Sequence, residues 1–376
     1  MTPKLARFLD SGAYATPAVA VDLDRVAANF AALHAALPDA AIYYAVKANP
    51  AAPILDRLAG LGSRFDAASI EEIRACLAAG ADPGTISFGN TVKKQSAIAE
   101  AHEHGVELFA FDSGEELAKL AQAAPGAKVY CRLSVSQSGA DWPLSRKFGT
   151  SADHARDLLI EARDLGLIPH GVSFHVGSQQ TGVGAYRTAI AQAAMVFTDL
   201  RARGIDLRLL NLGGGFPIRY REDVPPIETF GEAIMASVRA AFGNDLPDLL
   251  IEPGRAVVGD AGVAVSEVVL ACARAEDGGR RWVYLDIGRF GGLAETEGEA
   301  IRYRISAPGI AGAATPAVIA GPSCDGVDVM YRDTGYRLPS ALKAGDRVLI
   351  HDTGAYVTTY ASQGFNGFPP PQEYYL

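Results

Sequence analysis

Along the first two-thirds of the chain, short apolar runs alternate with Ala- and Leu-rich stretches whose apolar positions recur at helical spacing. The strand-like runs are Ile42–Val46, Arg64–Asp66, Ile86–Phe88, Leu108–Phe111, Val129–Val135, Gly171–His175, Leu207–Leu212 and Leu249–Glu252. A further apolar stretch, Ala18 to Leu23, precedes a helical pattern from Asp24 to Ala36. Two of the intervening helices open with capping-box sequences, Ser69…Glu72 and Ser113…Glu116. In such a box the Ser oxygen accepts from an early helix N–H and the Glu reaches back.

Eight strands separated by helices predict parallel pairing through right-handed crossovers, hence a (β/α)8 barrel over residues 22–260. A doubly wound sheet is the alternative, because eight is reached only by counting runs as short as Arg64–Asp66. After Gly262 the texture changes. Val263–Ala273, Arg281–Leu285, Ile301–Ile305, Ala317–Ala320 and Arg347–His351 read as strands with no long helix between them. They predict a mostly antiparallel β-domain over 261–376, joined by residues 1–21.

Composition narrows the class. With 49% apolar and 20% charged residues the chain is globular rather than disordered. A net charge of −9 argues against a nucleic-acid partner. No apolar run reaches the roughly 18 residues of a membrane span. Met1 to Ala20 carries charges and two prolines in place of an apolar signal core, so no export is expected. Cys76, Cys131, Cys272 and Cys324 are far apart, which suits a reducing cytoplasm better than a disulfide framework or a zinc site. His102 and His104 point to opposite sides of a helix, so no metal site is expected.

In a barrel, chemistry gathers at the C-terminal ends of the strands. Run one ends in Lys47, run two in Asp66, run six in His175, run seven in Gly213-Gly214-Gly215, and run eight in Glu252-Pro253-Gly254-Arg255. A lysine ending a buried strand either loses hydration, which frees a neutral amine for Schiff-base chemistry, or snorkels to solvent. Three glycines let backbone N–H groups approach an anion, or simply make a tight turn. Arg255 offers a fork of donors, Glu252 a carboxylate and His175 a flat ring or a core residue. The polar, Gly-containing stretch Ser136 to Arg146 reads as a lid or a plain connection.

Taken together, these segments resemble the fold-type III pyridoxal-phosphate decarboxylases, nearest the bacterial ornithine/lysine type of ornithine decarboxylase. The resemblance rests on the Lys47 segment, Phe65-Asp66-Ala67-Ala68-Ser69, Phe174-His175-Val176-Gly177-Ser178, the glycine trio with Phe216-Pro217, and Glu252-Pro253-Gly254-Arg255. It extends to Gly321-Pro322-Ser323-Cys324-Asp325-Gly326 and Gly354-Ala355-Tyr356. It implies a barrel plus β-domain fold and a pyridoxal phosphate cofactor joined to Lys47. It implies that His175 stacks on the ring and Glu252 pairs with its nitrogen. Ser178, Gly213 to Gly215, Gly254, Arg255 and Tyr356 then surround the phosphate, with Asp66, Glu72 and Arg132 nearby.

The same resemblance makes Cys324 the proton donor to Cα and sends it, with Asp325, into the barrel of a second subunit of a homodimer. It places Asp325 and Phe365 at the substrate, with Glu295 or Glu299 as a second carboxylate for a distal amine. The acidic stretch holding those two is equally a solvated loop. The implied reaction is ornithine to putrescine and CO2, in polyamine biosynthesis, with lysine or arginine as further basic substrates. Diaminopimelate decarboxylases carry Glu-Ser-Gly-Asp where this chain has Ser323-Cys324-Asp325-Gly326. A racemase of this fold wants a Tyr base in place of Cys324. A regulator resembling antizyme inhibitor would have lost Lys47, Glu252, Arg255 or Cys324, and a cofactor-free aldolase would leave the glycines and Glu252 without a purpose.

Overall fold

The computed structural model describes residues 1–142 and 147–376. The chain divides into two compact units, one of residues 27–217 and 224–254, the other of residues 1–26, 218–223 and 255–376.

The first unit is built on a closed barrel of eight parallel strands. These are β1 (Ala40–Ala45), β2 (Arg64–Ala67), β3 (Ile86–Phe88), β4 (Leu108–Phe111), β5 (Lys128–Arg132), β6 (Ile168–Ser173), β7 (Leu209–Asn211) and β8 (Asp248–Ile251). Each pairs in parallel with the next, and β8 pairs with β1 to close the ring. Every expected run is a barrel strand, and closure disposes of the doubly wound alternative. The runs are mostly apolar because strands of a closed parallel barrel are buried on both faces; Asp66, Ser87 and Asn211 are buried polar residues among them. Tyr43, Ala110, Tyr130, Leu209 and Leu250 pack together within it. Both tyrosine hydroxyls among them find partners: the Tyr130 hydroxyl and Ser87 Oγ are 2.9 Å apart, and the Tyr43 hydroxyl accepts from Arg64 Nη1 at 3.3 Å.

Both expected helix caps form, but neither carboxylate closes its box. Ser69 Oγ accepts from Glu72 N and Ser113 Oγ from Glu116 N. Glu72 overshoots by one residue and accepts from Ala68 N at 2.6 Å. Glu116 turns away altogether, to the ammonium groups of Lys93 at 2.9 Å and Lys119 at 2.5 Å. The Lys93 side chain is wholly buried and also donates to the carbonyls of Asn90 and Ala110. A buried cation needs a counter-charge more than an exposed N–H needs a cap. Burial pushes Lys93 down to about 8, with Glu116 resisting the shift.

The stretch expected as a lid opens as a loop and turn and then forms a short strand, Ala140–Trp142, paired antiparallel with Ser178–Gln180. Residues 143–146 of that stretch lie outside the described residues.

The second unit is organised around a long strand, Gly262–Arg274, which pairs antiparallel with Ala18–Val21, Arg280–Leu285 and Arg347–His351. Beyond these lie Val318–Ala320 in parallel, Val329–Tyr331, Ile305–Ser306 and Gln372–Tyr375. The expected strand Ile301–Ile305 is corrected to its last residue and Ser306. Before it, Tyr331 hydroxyl accepts from Tyr303 N and donates to Ile301 O, so a side chain holds this backbone in place of a ladder. A first helix, Pro3–Ser11, capped by Thr2, was not foreseen. Among the described residues no helix is long and apolar enough to cross a membrane.

Candidate active site

After β1 the chain tightens into a 3-10 turn, Val46–Ala48, whose flanking residues are buried and whose middle residue is Lys47. The Lys47 side chain is 44% exposed, with Nζ 3.4 Å from Oδ2 of Asp66 on β2, which is only 4% exposed. Of the two environments the sequence allowed, neither holds in full. The amine is half open at the strand end and held by a buried carboxylate. Asp66 Oδ1 is buried and has no hydrogen-bond partner among the described residues. Gly89 lies against that oxygen so closely that a Cβ there would overlap it.

Glu252 follows β8. Burial and the negative charge of Asp66 push its carboxyl up to about 7, while Lys47, Asn211 and Arg132 pull it down. Asn211, the last residue of β7, was not singled out from the sequence. Its Oδ1 accepts from Gly213 N at 2.8 Å, which orients the amide so that Nδ2 donates to Glu252 Oε1 at 2.5 Å. One side chain thus locks the carboxylate to the glycine turn. The Asn-x-Gly-Gly-Gly spacing was the available signal.

His175 lies just past β6. Gly177 N donates to its Nδ1 at 3.0 Å, so the ring proton is on Nε2. Burial first, then the charges of Arg132 and Lys47, hold the imidazole well below its usual range, and the ring is neutral. Arg132, at the end of β5, stacks on Phe148 with its guanidinium carbon 5.3 Å from the ring centre. Burial raises the nearby Glu72 carboxyl, with the Ala68 N–H opposing.

The three glycines are demanded by backbone packing. A Cβ on Gly213 would sit 2.1 Å from Phe174 O, one on Gly214 2.4 Å from Glu252 O, and one on Gly215 2.3 Å from Gly177 O. Gly213 and Gly215 also take positive φ, +67° and +99°. Their carbonyls accept from Glu252 N, Tyr186 hydroxyl and Gln180 N respectively. The amides of Gly214 and Gly215 take no part in these bonds. Ser178 opens the short strand beside this turn.

Gly254 ends the first unit, and the second resumes at Arg255, which starts a short helix. Its Nη2 donates to Glu295 at 2.7 Å and Nη1 to the Tyr220 hydroxyl at 2.6 Å. Its guanidinium lies over the ring of Tyr356, a residue at φ +56°. Burial works against the Arg255 charge, but Glu295 and Tyr220 outweigh it and raise its pKa. Of the two carboxylates considered for a distal amine, Glu295 is therefore already paired. Glu299 accepts from Arg332 N, Asp333 N and the Thr334 hydroxyl, capping a turn.

Cys324 and Asp325 are exposed on a loop tied down by the buried carboxylate of Asp328. Asp328 accepts from Arg289 N, Ser323 N and Ser323 Oγ. Cys324 N donates to Asn366 Oδ1 at 2.9 Å, beside Phe365, whose ring centre lies 4.4 Å from that of Phe290 at a tilt of 37°.

Residues 23–259 match the family described as pyridoxal-dependent decarboxylase, pyridoxal binding domain. The chain belongs to the pyridoxal-dependent decarboxylases. A lysine/ornithine decarboxylase of Selenomonas ruminantium is 37% identical over 355 residues, 94% of this chain and 88% of that one. A decarboxylase structure holding pyridoxal phosphate and cadaverine superposes with TM-score 0.88 at 34% identity, covering 99% and 93% of the two chains. The Vibrio vulnificus lysine/ornithine decarboxylase with putrescine superposes with TM-score 0.89 at 29% identity, covering 100% and 99%. This decarboxylase is thus an enzyme of the barrel plus β-domain architecture whose cofactor is pyridoxal phosphate.

The residues present fit that group. Asp66 has an unused buried acceptor beside the amine of Lys47. Glu252, raised to about 7 by burial and by the charge of Asp66, gains from any cation placed against it. The neutral His175 ring offers a flat face, and the Gly214 and Gly215 amides suit an anion.

Proposed function

We propose that this decarboxylase converts L-ornithine to putrescine and CO2, with lysine as a second substrate giving cadaverine. The observation that carries the reading is the constellation at the strand ends: Lys47 held by Asp66, Glu252 poised near 7 and tied by Asn211 to the glycine turn, and the neutral ring of His175. The named relatives support the substrate class, since they are lysine/ornithine decarboxylases and decarboxylase structures that hold cadaverine or putrescine.

When bound, pyridoxal phosphate supplies an aldehyde that condenses with amines and a ring that accepts the electron pair left at Cα as CO2 departs. The protein does the rest. Lys47 would provide the amine that anchors the group, while Asp66 steadies its position. Glu252 keeps a proton on the ring nitrogen; in its ionised form it favours the cation beside it, and the Asn211 amide favours that ionised form. His175 would offer its flat, neutral face to the ring. The Gly214 and Gly215 amides, Ser178, Arg255 and Tyr356 would hold the phosphate.

Cys324 stands exposed in its own unit, as does Asp325. We assign them to the site of a second copy in a homodimer, where Cys324 of the partner subunit protonates Cα and Asp325 of the partner subunit meets the distal ammonium. A thiol is a competent general acid toward a carbanion. Cys324→Ala then binds cofactor normally but mishandles Cα protonation; wild-type turnover and products from that variant would remove the assignment. The separated cysteines agree with a cytoplasmic setting.

CO2 release measured side by side with ornithine, lysine, arginine and diaminopimelate tests the whole reading. Ornithine is expected to lead. One methylene is worth only about 1–3 kcal/mol in a pocket, so lysine is expected within about two orders of magnitude. Preference for arginine or diaminopimelate, or release from none, defeats it.

A further inference from the structure

We propose that Glu295 is a positioning residue for Arg255, so that the turn carrying it sets how the cofactor phosphate is held rather than how the far end of the substrate is read. The inference rests on the reading above that Arg255 meets the phosphate.

Glu295 lies in the 3-10 segment Ala294–Glu299. Its side chain is 2% exposed and that of Arg255 3%. The backbone turn that carries Glu295 is held in place: Thr296 hydroxyl donates to the Leu293 carbonyl at 2.6 Å, and Ile301 N donates to the Glu295 backbone carbonyl at 3.0 Å. The carboxylate receives Arg255 Nη2, while Tyr220 receives Nη1 and the Tyr356 ring lies beneath the guanidinium at 4.9 Å. Two bonds in different directions and one ring face fix the plane of a side chain that otherwise samples many rotamers. The Tyr220 ring is itself fixed edge-on against Tyr303. The charge of the Glu295 carboxylate is paired with Arg255 through Oε1 and sealed from solvent, and its Oε2 is buried without a hydrogen-bond partner among the described residues.

The experiment titrates apo-protein with pyridoxal phosphate and with pyridoxal, which lacks the phosphate. The variants are Glu295→Ala, Glu295→Gln, Arg255→Met and the double variant Glu295→Gln/Arg255→Met. Glu295→Ala is expected to weaken pyridoxal phosphate by about 10- to 100-fold, the scale of one lost charge-assisted bond, and to leave pyridoxal nearly unchanged. Glu295→Gln, which keeps the acceptor and its reach, recovers most of that loss. The double variant adds nothing to Arg255→Met. If Glu295→Ala does not fold, Glu295→Asp takes its place, because its shorter arm draws the acceptor back from Nη2 and should reproduce the loss that glutamine avoids.

Equal weakening of both aldehydes would overturn the proposal in favour of a merely structural pair. A raised KM for the diamino acid with unchanged cofactor affinity would overturn it in favour of substrate contact. Should Arg255→Met leave the ratio of the two affinities at the wild-type value, the phosphate reading of Arg255 itself fails. If Arg255→Met shifts that ratio and the Glu295 variants do not, only the present inference fails.

Discussion

At the barrel rim the reactive side chains stand at strand ends, whereas in the β-domain they stand in loops. Lys47, Asp66, Arg132, His175, Asn211 and Glu252 follow or close β1, β2, β5, β6, β7 and β8. Their spacing is inherited from backbone ladders, and no single side chain determines it. Cys324, Asp325, Tyr356 and Phe365 have no ladder beneath them. What fixes the β-domain groups are individual buried charges: Asp328 under the Cys324 loop and Glu295 against Arg255. The comparison teaches that the same kind of substitution acts differently in the two regions. In the barrel it changes chemistry and spares geometry. In the β-domain it releases geometry.

The largest effect expected is that of Lys47→Ala. It should abolish the cofactor colour that borohydride bleaches and lower decarboxylation by at least about three orders of magnitude, while leaving the barrel's thermal stability near wild type. A coloured, active variant would break the barrel half of the comparison. Glu252→Gln comes next, with kcat down by about 10²–10³-fold, the scale of removing one preorganised charge contact. Its secondary structure, read by circular dichroism, should not change.

Asp328→Asn tests the other region. Losing one charge among three donors should destabilise the fold by about 1–3 kcal/mol in denaturant titration. It should also make Cys324 react faster with a thiol reagent. Unchanged thiol kinetics would mean that the loop is fixed by something else.

The smallest effect is a pH dependence of the apo-protein. Glu252 is raised from 4.5 to about 7 in the folded state. The folded chain therefore binds more protons than the unfolded chain between these values, so this group adds stability as pH falls from about 7 toward 4.5 and withdraws it as pH rises. Melting temperature against pH should show that slope in wild type and a flatter one in Glu252→Gln.

The barrel was legible because most of its buried strands are short apolar runs that stop at a polar or glycine residue. Even the runs at Arg64 and Ile86, three or four residues long, were placed correctly. Short strands in the β-domain were not: Val329–Tyr331 and Gln372–Tyr375 are too brief to show alternation. Ile301 to Arg304 looks like a strand yet is held by a tyrosine hydroxyl from thirty residues away. The same limit hid the pairing of Arg255 with Glu295, forty residues apart, and made an acidic stretch look open to substrate. Local pattern reports burial; it does not report which charge a buried group has already met.

Two lysines end up with opposite fates toward amine chemistry. Lys93 has its ammonium enclosed by a carboxylate and two carbonyls, out of reach of any reagent while the fold holds. Lys47 is half open at the barrel rim. Acylating reagents used to tether the enzyme to a support would therefore strike the one amine it cannot lose and pass over the most sheltered one. Coupling in the presence of the vitamin-derived aldehyde, which would mask that amine, is the way to immobilise it without silencing it.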